Sequence, residues 1–409
     1  MNQAFLKVLF SEAVRVITFP IRLMPIKKKR ILFTGLTGGK SYDYSCNPKY
    51  VYEYMKTHFP GQYEYVWAVA DKEKYAFLKE EGVKLVKHFT VSSFPMLLTS
   101  KVIVTNGSYA PWFPFRKQQY VINTWHGGGA YKKVENEKPD ADWATRKRAE
   151  FCAKNIDLFV ASCKVQEDNM IRKTFLYKGE VLRAGTPRND KLVNGDIEDM
   201  AKKVREKYHI PKNGKIVLYA PTYRRPEVPV VLDSDYLLEA LNNMQFLKNA
   251  AEEKEAERKK ETEDVKWYFM CRYHRYQDGN MNVKVTGQHV IDVMDYPDMQ
   301  ELLCAADMLI TDYSSCVWDY AFLKRPCFLY TPDKKEYIRN TGFYVGLEKW
   351  PFLQAETMEE LLQNIGDYQP EKRLQVVSQH LEELGNYESG ACNERLSEII
   401  RSVCDGVDS

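Results

Sequence analysis

His126 ends an apolar run, Tyr120-Val121-Ile122-Asn123-Thr124-Trp125, and Gly127-Gly128-Gly129 follows it directly. An imidazole at the carboxyl end of a strand lies where open α/β sheets line their ligand crevice. Glycines after it let backbone come close to a substrate and leave the ring accessible. A lone histidine is more often structural, but this position and this triple glycine favour chemistry, and an ordinary histidine pKa suits a general base near neutrality. A second constellation begins with the apolar run Met308-Leu309-Ile310 and continues through Thr311-Asp312-Tyr313-Ser314-Ser315 into helical spacing from Cys316 to Leu323. A strand that turns through two serines into a helix offers hydroxyls and unpaired backbone N–H groups to a phosphate. The plainer reading is an N-cap, because Asp and Ser are the favoured capping residues.

Three further polar loops follow apolar runs. Ile216–Tyr219 leads into Ala220-Pro221-Thr222-Tyr223-Arg224-Arg225, and Trp267–Cys271 leads into Arg272-Tyr273-His274-Arg275. Val181-Leu182-Arg183 leads into the turn Gly185-Thr186-Pro187-Arg188-Asn189-Asp190. Arginines, histidines and a helix start in one site describe a grip on a pyrophosphate-bearing donor. Gly35-Leu36-Thr37-Gly38-Gly39-Lys40-Ser41 imitates a phosphate-binding P-loop but is one residue short between its glycines, so a nucleotide triphosphatase is rejected. It remains a glycine-rich loop between a first strand, Ile31–Phe33, and a helix over Tyr50–His58, open to a ligand's polar end.

The elements that must position these groups alternate. Strands are predicted at Tyr65–Ala70, Lys84–Val86, Val102–Thr105 and Ile156–Ala161, with helices at Lys72–Glu81, Ser92–Leu98 and Gln166–Thr174. Such alternation gives a parallel sheet covered on both faces. The pattern restarts after Lys212-Asn213-Gly214-Lys215, and amphipathic helices are predicted at Leu374–Leu384 and Asn393–Val403. The fold class is therefore α/β, with two doubly wound parallel-sheet domains whose polar loops face a cleft. The expected division is a segment 1–30, an acceptor-side domain 31–205 and a donor-binding domain 206–409, with the return of the C-terminal helices to the first domain left open. Ala250 to Glu263 is almost all Ala, Glu, Lys and Arg and reads as a solvated helical extension.

With 409 residues and a net charge of +3, the chain has room for two cores and carries no basic stripe of the nucleic-acid kind. Nine scattered cysteines without C-x-x-C spacing indicate neither a disulfide framework nor a zinc site, and no metal or cofactor is expected. The first 30 residues are the exception to the even charge, with seven basic side chains against Glu12 alone. Lys7, Ser11, Arg15, Thr18 and Arg22 fall on one helical stripe, while Val14, Val16, Ile17 and Phe19 lie among the apolar remainder. No apolar run reaches the ~20 residues a spanning helix needs. An amphipathic helix on an anionic membrane is expected, helped by the cluster Lys27-Lys28-Lys29-Arg30; the other reading is a helix packed on the protein's own core.

Trp125-His126-Gly127, the Gly185–Asp190 turn, Tyr219-Ala220-Pro221-Thr222-Tyr223-Arg224, Arg272-Tyr273-His274 and Ile310-Thr311-Asp312-Tyr313-Ser314-Ser315 with Trp318-Asp319-Tyr320 occur in this order. Together with Asn47-Pro48-Lys49-Tyr50 and Pro332-Asp333…Tyr337, they resemble the CDP-glycerol glycerophosphotransferase family of teichoic-acid primases and polymerases in Gram-positive envelopes. The resemblance implies a GT-B-like fold, a CDP-glycerol or CDP-ribitol donor, a lipid-linked polyprenyl-diphosphate saccharide acceptor and CMP as the released product. It implies a peripheral location on the cytoplasmic side of the cell membrane. His126 becomes the candidate base, and His274 a second catalytic group. Gly127, Arg188, Asn189, Thr222, Arg224, Arg272, Thr311, Asp312, Ser314, Ser315 and Asp319 become candidate substrate-binding residues, with Asp312 and Asp319 orienting loops and not binding metal. Gly128-Gly129 stands where the family usually has Thr-Pro, and Arg275 where it has Pro, so the polyol and acceptor stay open. A nucleotide-sugar or other phosphosugar transferase is the alternative enzyme; a non-catalytic membrane-bound scaffold is the alternative outside enzymes.

Overall fold

The apolar runs become strands buried on both sides because successive side chains point to opposite faces. In a computed structural model, which describes residues 13, 14, 16–37, 41–88, 90–109, 113–138, 141–222, 230–255, 265–273 and 287–406, β1 spans Lys27–Thr37. Within it Ile31 and Phe33 enter one core cluster and Leu32 the opposite one. The chain divides into two units, Met1–Val193 with Leu384–Ser409, and Asn194–Glu383.

The first unit adds β2 (Ser41–Asp43), β3 (Glu64–Val69), β4 (Lys84–Lys87), β5 (Ser100–Thr105), β6 (Tyr120–Asn123), β7 (Leu158–Ala161) and β8 (Glu180–Arg183). Its sheet order is β4-β3-β1-β5-β6-β7-β8, parallel throughout, with β2 antiparallel on β1. Strand order reverses between β1 and β5, so their carboxyl ends flank a topological switch point. The helices Cys46–His58 and Cys392–Asp405 cover one face, and Phe94–Thr99 covers the other.

The second unit has β9 (Lys215–Tyr219), β10 (Trp267–Cys271), β11 (Val290–Asp292), β12 (Met308–Thr311), β13 (Cys327–Tyr330) and β14 (Leu353–Ala355). The order β11-β10-β9-β12-β13-β14 is wholly parallel and puts the switch point between β9 and β12. The division falls before the helix Glu198–Lys207, not near residue 205. That helix packs in the second unit on Met299–Ala305, with Met200 against Cys304 and Lys203 beside Glu301 at 3.3 Å. Of the charged run, the described part continues the helix Ser234–Glu255. The helix expected over Lys72–Glu81 is only the turn Phe77–Glu80.

Two expectations about the amino-terminal part are corrected. Residues 13, 14 and 16–22 are helical among those described, but Thr18 and Val14 face inward and Val16, Ile17 and Phe19 face out. The supposed polar stripe thus includes the buried side, and Thr18 satisfies its hydroxyl on the Val14 carbonyl at 2.7 Å. The basic cluster opens β1 instead of preceding it. Arg30 is buried and grips both carboxylate oxygens of Glu64 at 3.0 Å, Lys84 donates to the same group, and Lys29 pairs with Asp405. The glycine-rich stretch is likewise followed by a strand, since β2 returns along β1 with Thr37 opposite Ser41. No helix among the described residues is long and apolar enough to cross a membrane.

Burial alone would raise the Glu64 pKa, but hydrogen bonds and charge from Arg30 and Lys84 outweigh it and hold the carboxyl at about 2. A carboxyl depressed by folding stabilises the fold above its ordinary pKa, and the contribution is lost as pH falls through the folded value. Glu64→Gln is therefore expected to cost on the order of 2–3 kcal/mol at neutral pH. Denaturant unfolding should show this deficit narrowing from about pH 4.5 down to about pH 2. A deficit independent of pH contradicts the assignment.

Candidate active site

His126 follows β6 at the carboxyl edge of the first unit's sheet. Trp125, at φ 50°, bends the chain there, and its N–H closes on Asn123 Oδ1 at 2.8 Å. The imidazole stacks on the Trp125 ring with centroids 4.2 Å apart. Its Nδ1 lies 2.8 Å from the carbonyl of Asn106. A carbonyl only accepts, so Nδ1 carries the proton and Nε2 of the neutral ring keeps its lone pair. The side chain is open to solvent, yet protein packed around it lowers its pKa. The Asn106 carbonyl opposes that shift, Arg188 adds to it, Glu135 opposes it and Lys132 adds to it. The result is an imidazole held below the ordinary histidine pKa.

Neighbouring loops fix this ring. Asn106 bonds both backbone groups of Leu36 through its side chain, at 2.6 and 3.1 Å, and so spans the switch point. Asn47, at the start of the Cys46–His58 helix, donates to the carbonyls of Thr124 and Trp125 at 3.2 and 2.9 Å. Gln166, on a helix with π-type bonding over Gln166–Thr174, donates to the Gly127 carbonyl at 2.6 Å. Ser162 donates to Gln166 at 2.9 Å and accepts from the Gly129 N–H at 3.1 Å. Arg188 is buried and donates through Nη1 to the His126 carbonyl at 2.8 Å and to Cys46 Sγ at 3.2 Å. Asn189 is fully buried, donating to Glu388 at 3.1 Å. Both residues are thus buried with protein partners beside the His126 loop.

In the second unit the loops after β9 and β12 close on each other. The Asp312 carboxylate accepts from the Thr222 N–H at 2.8 and 2.9 Å and from its hydroxyl at 2.6 Å. Thr311 donates to the Ala220 carbonyl at 2.6 Å, and Asp319 accepts from Gln300 at 2.9 Å. Thr311, Asp312 and Asp319 are all buried. Ser314 and Ser315 are half-buried at the start of the Cys316–Ala321 helix. Ser315 makes no side-chain cap, and the Cys316 N–H reaches Ser314 Oγ only at 3.4 Å. Arg272 is half-buried with Nη1 on the Tyr296 carbonyl at 2.9 Å. Tyr313 stacks on Tyr337, centroids 3.9 Å apart, and donates to Asp333 at 2.9 Å, which links the Pro332-Asp333…Tyr337 residues to the serine turn. Arg224 and His274 lie outside the described residues. Among the described residues, no three His, Cys, Asp or Glu side chains are grouped to hold a metal ion.

Sequence reasoning singled out the histidine and the serine turn but missed Asn106, Gln166, Ser162 and Glu388. Asn106-Gly107 at the end of β5 was the available signal for the first, by the same strand-end rule that found His126. Nothing local marks the other three.

Two doubly wound parallel-sheet units with polar loops at their strand ends define a GT-B-like α/β transferase. The fold matches the wall teichoic acid polymerase TagF with a TM-score of 0.78, covering 98% of this chain and 97% of that one at 22% identity. The model of the CDP-Glycerol:Poly(glycerophosphate) glycerophosphotransferase family matches residues 17–402, and the chain belongs to that family. It is 27% identical to a teichoic acid poly(glycerol phosphate) polymerase of Bacillus spizizenii, over 93% of this chain and 94% of the relative. It is 24% identical to a teichoic acid glycerol-phosphate transferase of Staphylococcus aureus, over 92% and 94%. A Bacillus subtilis polymerase is 28% identical over 84% of this chain, which spans only 44% of that longer protein.

Proposed function

We propose that the chain transfers glycerol phosphate from CDP-glycerol to a hydroxyl of a lipid-linked acceptor in teichoic-acid or related surface-polymer synthesis. The acceptor oxygen attacks the β-phosphorus, His126 Nε2 takes its proton, and the bond to the bridging oxygen breaks as CMP leaves. The observation that carries this reading is the Nδ1–H bond to the Asn106 carbonyl, which leaves Nε2 able to accept a proton. The donor side is assigned to the second unit. There Ser314, Ser315 and Arg272, with His274, bind the pyrophosphate and stabilise the charge that grows on the departing CMP. The serine turn is held through Asp312 on Thr222 and Asp319 on Gln300. No cofactor is assigned.

A lipid-linked acceptor puts the enzyme at a membrane, on the cytoplasmic side where nucleotide-activated donors are made. Val16, Ile17, Phe19, Leu23 and Met24 support a peripheral attachment: large apolar side chains, Val16 and Leu23 each 72% exposed, on and just after a helix anchored to the core through Val14. Exposed apolar side chains of this size enter the headgroup boundary of a bilayer.

CMP release from CDP-glycerol and CDP-ribitol, with a lipid-linked glycerophosphate acceptor, tests the reaction. One donor should give acceptor-dependent CMP, and His126→Ala should lower kcat by ~100- to 10,000-fold. Because the base must be unprotonated and its pKa is lowered, the acid limb of kcat/KM should lie below the ordinary histidine value. A nucleoside diphosphate as product defeats the reading in favour of glycosyl transfer. For the attachment, Ile17→Glu with Phe19→Glu should release the protein from sedimenting anionic vesicles while CMP formation with a soluble acceptor analogue persists. Unchanged sedimentation contradicts this face as the attachment.

A further inference from the structure

We propose that Glu388 is a positioning residue for the transfer reaction, holding the 186–189 turn from which Arg188 fixes the His126 loop. The inference rests on the reading of His126 as the base.

Glu388 lies in the segment that returns to the first unit at Leu384. Its carboxylate is buried and accepts three bonds from the turn after β8: the Thr186 N–H at 2.8 Å, the Thr186 hydroxyl at 2.9 Å and Asn189 Nδ2 at 3.1 Å. The fit leaves no slack. Gly185 sits at φ +91°, and a Cβ there would fall 2.3 Å from Glu388 Oε2 and 2.6 Å from its Cα. The far end of the turn is anchored to the same segment, because Asp190 accepts from the N–H groups of Cys392 and Asn393 at 3.0 and 2.7 Å. Arg188 stands between these anchors. Its N–H bonds Asn47 Oδ1 at 3.2 Å, and its guanidinium bonds the His126 carbonyl at 2.8 Å. Asn47 in turn holds the carbonyls of Thr124 and Trp125. A continuous series of bonds thus runs from Glu388 to the backbone on both sides of Trp125 and to the catalytic histidine's own carbonyl.

The series has an electrostatic consequence that simple scaffolding lacks. Arg188 is a cation beside the imidazole and lowers its pKa together with Lys132, against Glu135 and the Asn106 carbonyl. If the turn loosens and Arg188 moves away, the imidazolium becomes easier to form, and the acid limb of the rate profile moves to higher pH.

The test is CMP release by the full chain across the acid limb, for Glu388→Gln, Asn189→Ala, Arg188→Gln and the Glu388→Gln/Arg188→Gln double variant, with His126→Ala alongside. Glu388→Gln should lower kcat ~10- to 100-fold, as loss of orientation does. KM for CDP-glycerol should stay within about twofold, since the interaction removed is not one with the donor. Its acid limb should move to higher pH, that of Asn189→Ala in the same direction by less, and the double variant no further than Arg188→Gln alone. Unmoved limbs in Glu388→Gln and Asn189→Ala overturn the inference, whether or not activity falls, because lost stability alone does not shift the histidine's titration. Where Glu388→Gln does not fold, Asn189→Ala decides by the same criterion. Full activity in His126→Ala overturns instead the reading of the base on which the inference stands.

Discussion

Asn106 is the residue on which the geometry around His126 depends. Its side chain clasps both backbone groups of Leu36 across the switch point, and its carbonyl accepts a hydrogen bond from His126 Nδ1. The carboxyl ends of β1, β5 and β6 are thereby fixed relative to one another through one buried asparagine. Parallel strands leave these ends without ladder partners, and buried polar groups must find bonds elsewhere. In this chain that requirement and the requirement for a defined imidazole tautomer are met by the same residue.

The second unit meets the same constraint with a charge. Asp312 takes three bonds from Thr222 and one from the Tyr313 N–H, so the loops after β9 and β12 cannot move independently. A buried carboxylate without those donors would be costly, which makes the closed loop pair the only cheap arrangement. The serines after Asp312 are left half-exposed and only weakly engaged with the helix they begin. Buried polar residues thus stand behind a half-exposed serine turn and hold it in place.

Much of this was legible in the chain. Ile31-Leu32-Phe33 and Met308-Leu309-Ile310 announce buried strands through branched and apolar content alone, and the placing of His126 and of the two serines just beyond strand ends follows from the same runs. What stayed hidden depended mostly on distant partners. Folding brings Glu64 beside Lys27 and Arg30, and Asp405 beside Lys29, which nothing near the basic cluster reveals. The support of the Arg188-Asn189 turn is equally hidden, because nothing near it in sequence reveals Glu388, 199 positions beyond Asn189. The helix Trp143–Asn155 buries only Ala149 and Cys152 and so carries no apolar period to read. Thr18 is the local exception: its residue type puts it on the wet side, but its hydroxyl closes on the Val14 carbonyl one turn back and the side chain is buried.

The account stands on the tautomer of one imidazole. Nitrogen–proton correlation spectra of protein labelled only at its seven histidines, assigned through His126→Gln, read that tautomer directly. Above its pKa, His126 should show a protonated Nδ1 and a bare Nε2, with the Nδ1 proton protected from exchange by the Asn106 carbonyl. A neutral ring protonated at Nε2 contradicts the account, since that nitrogen then has no lone pair with which to take the acceptor's proton.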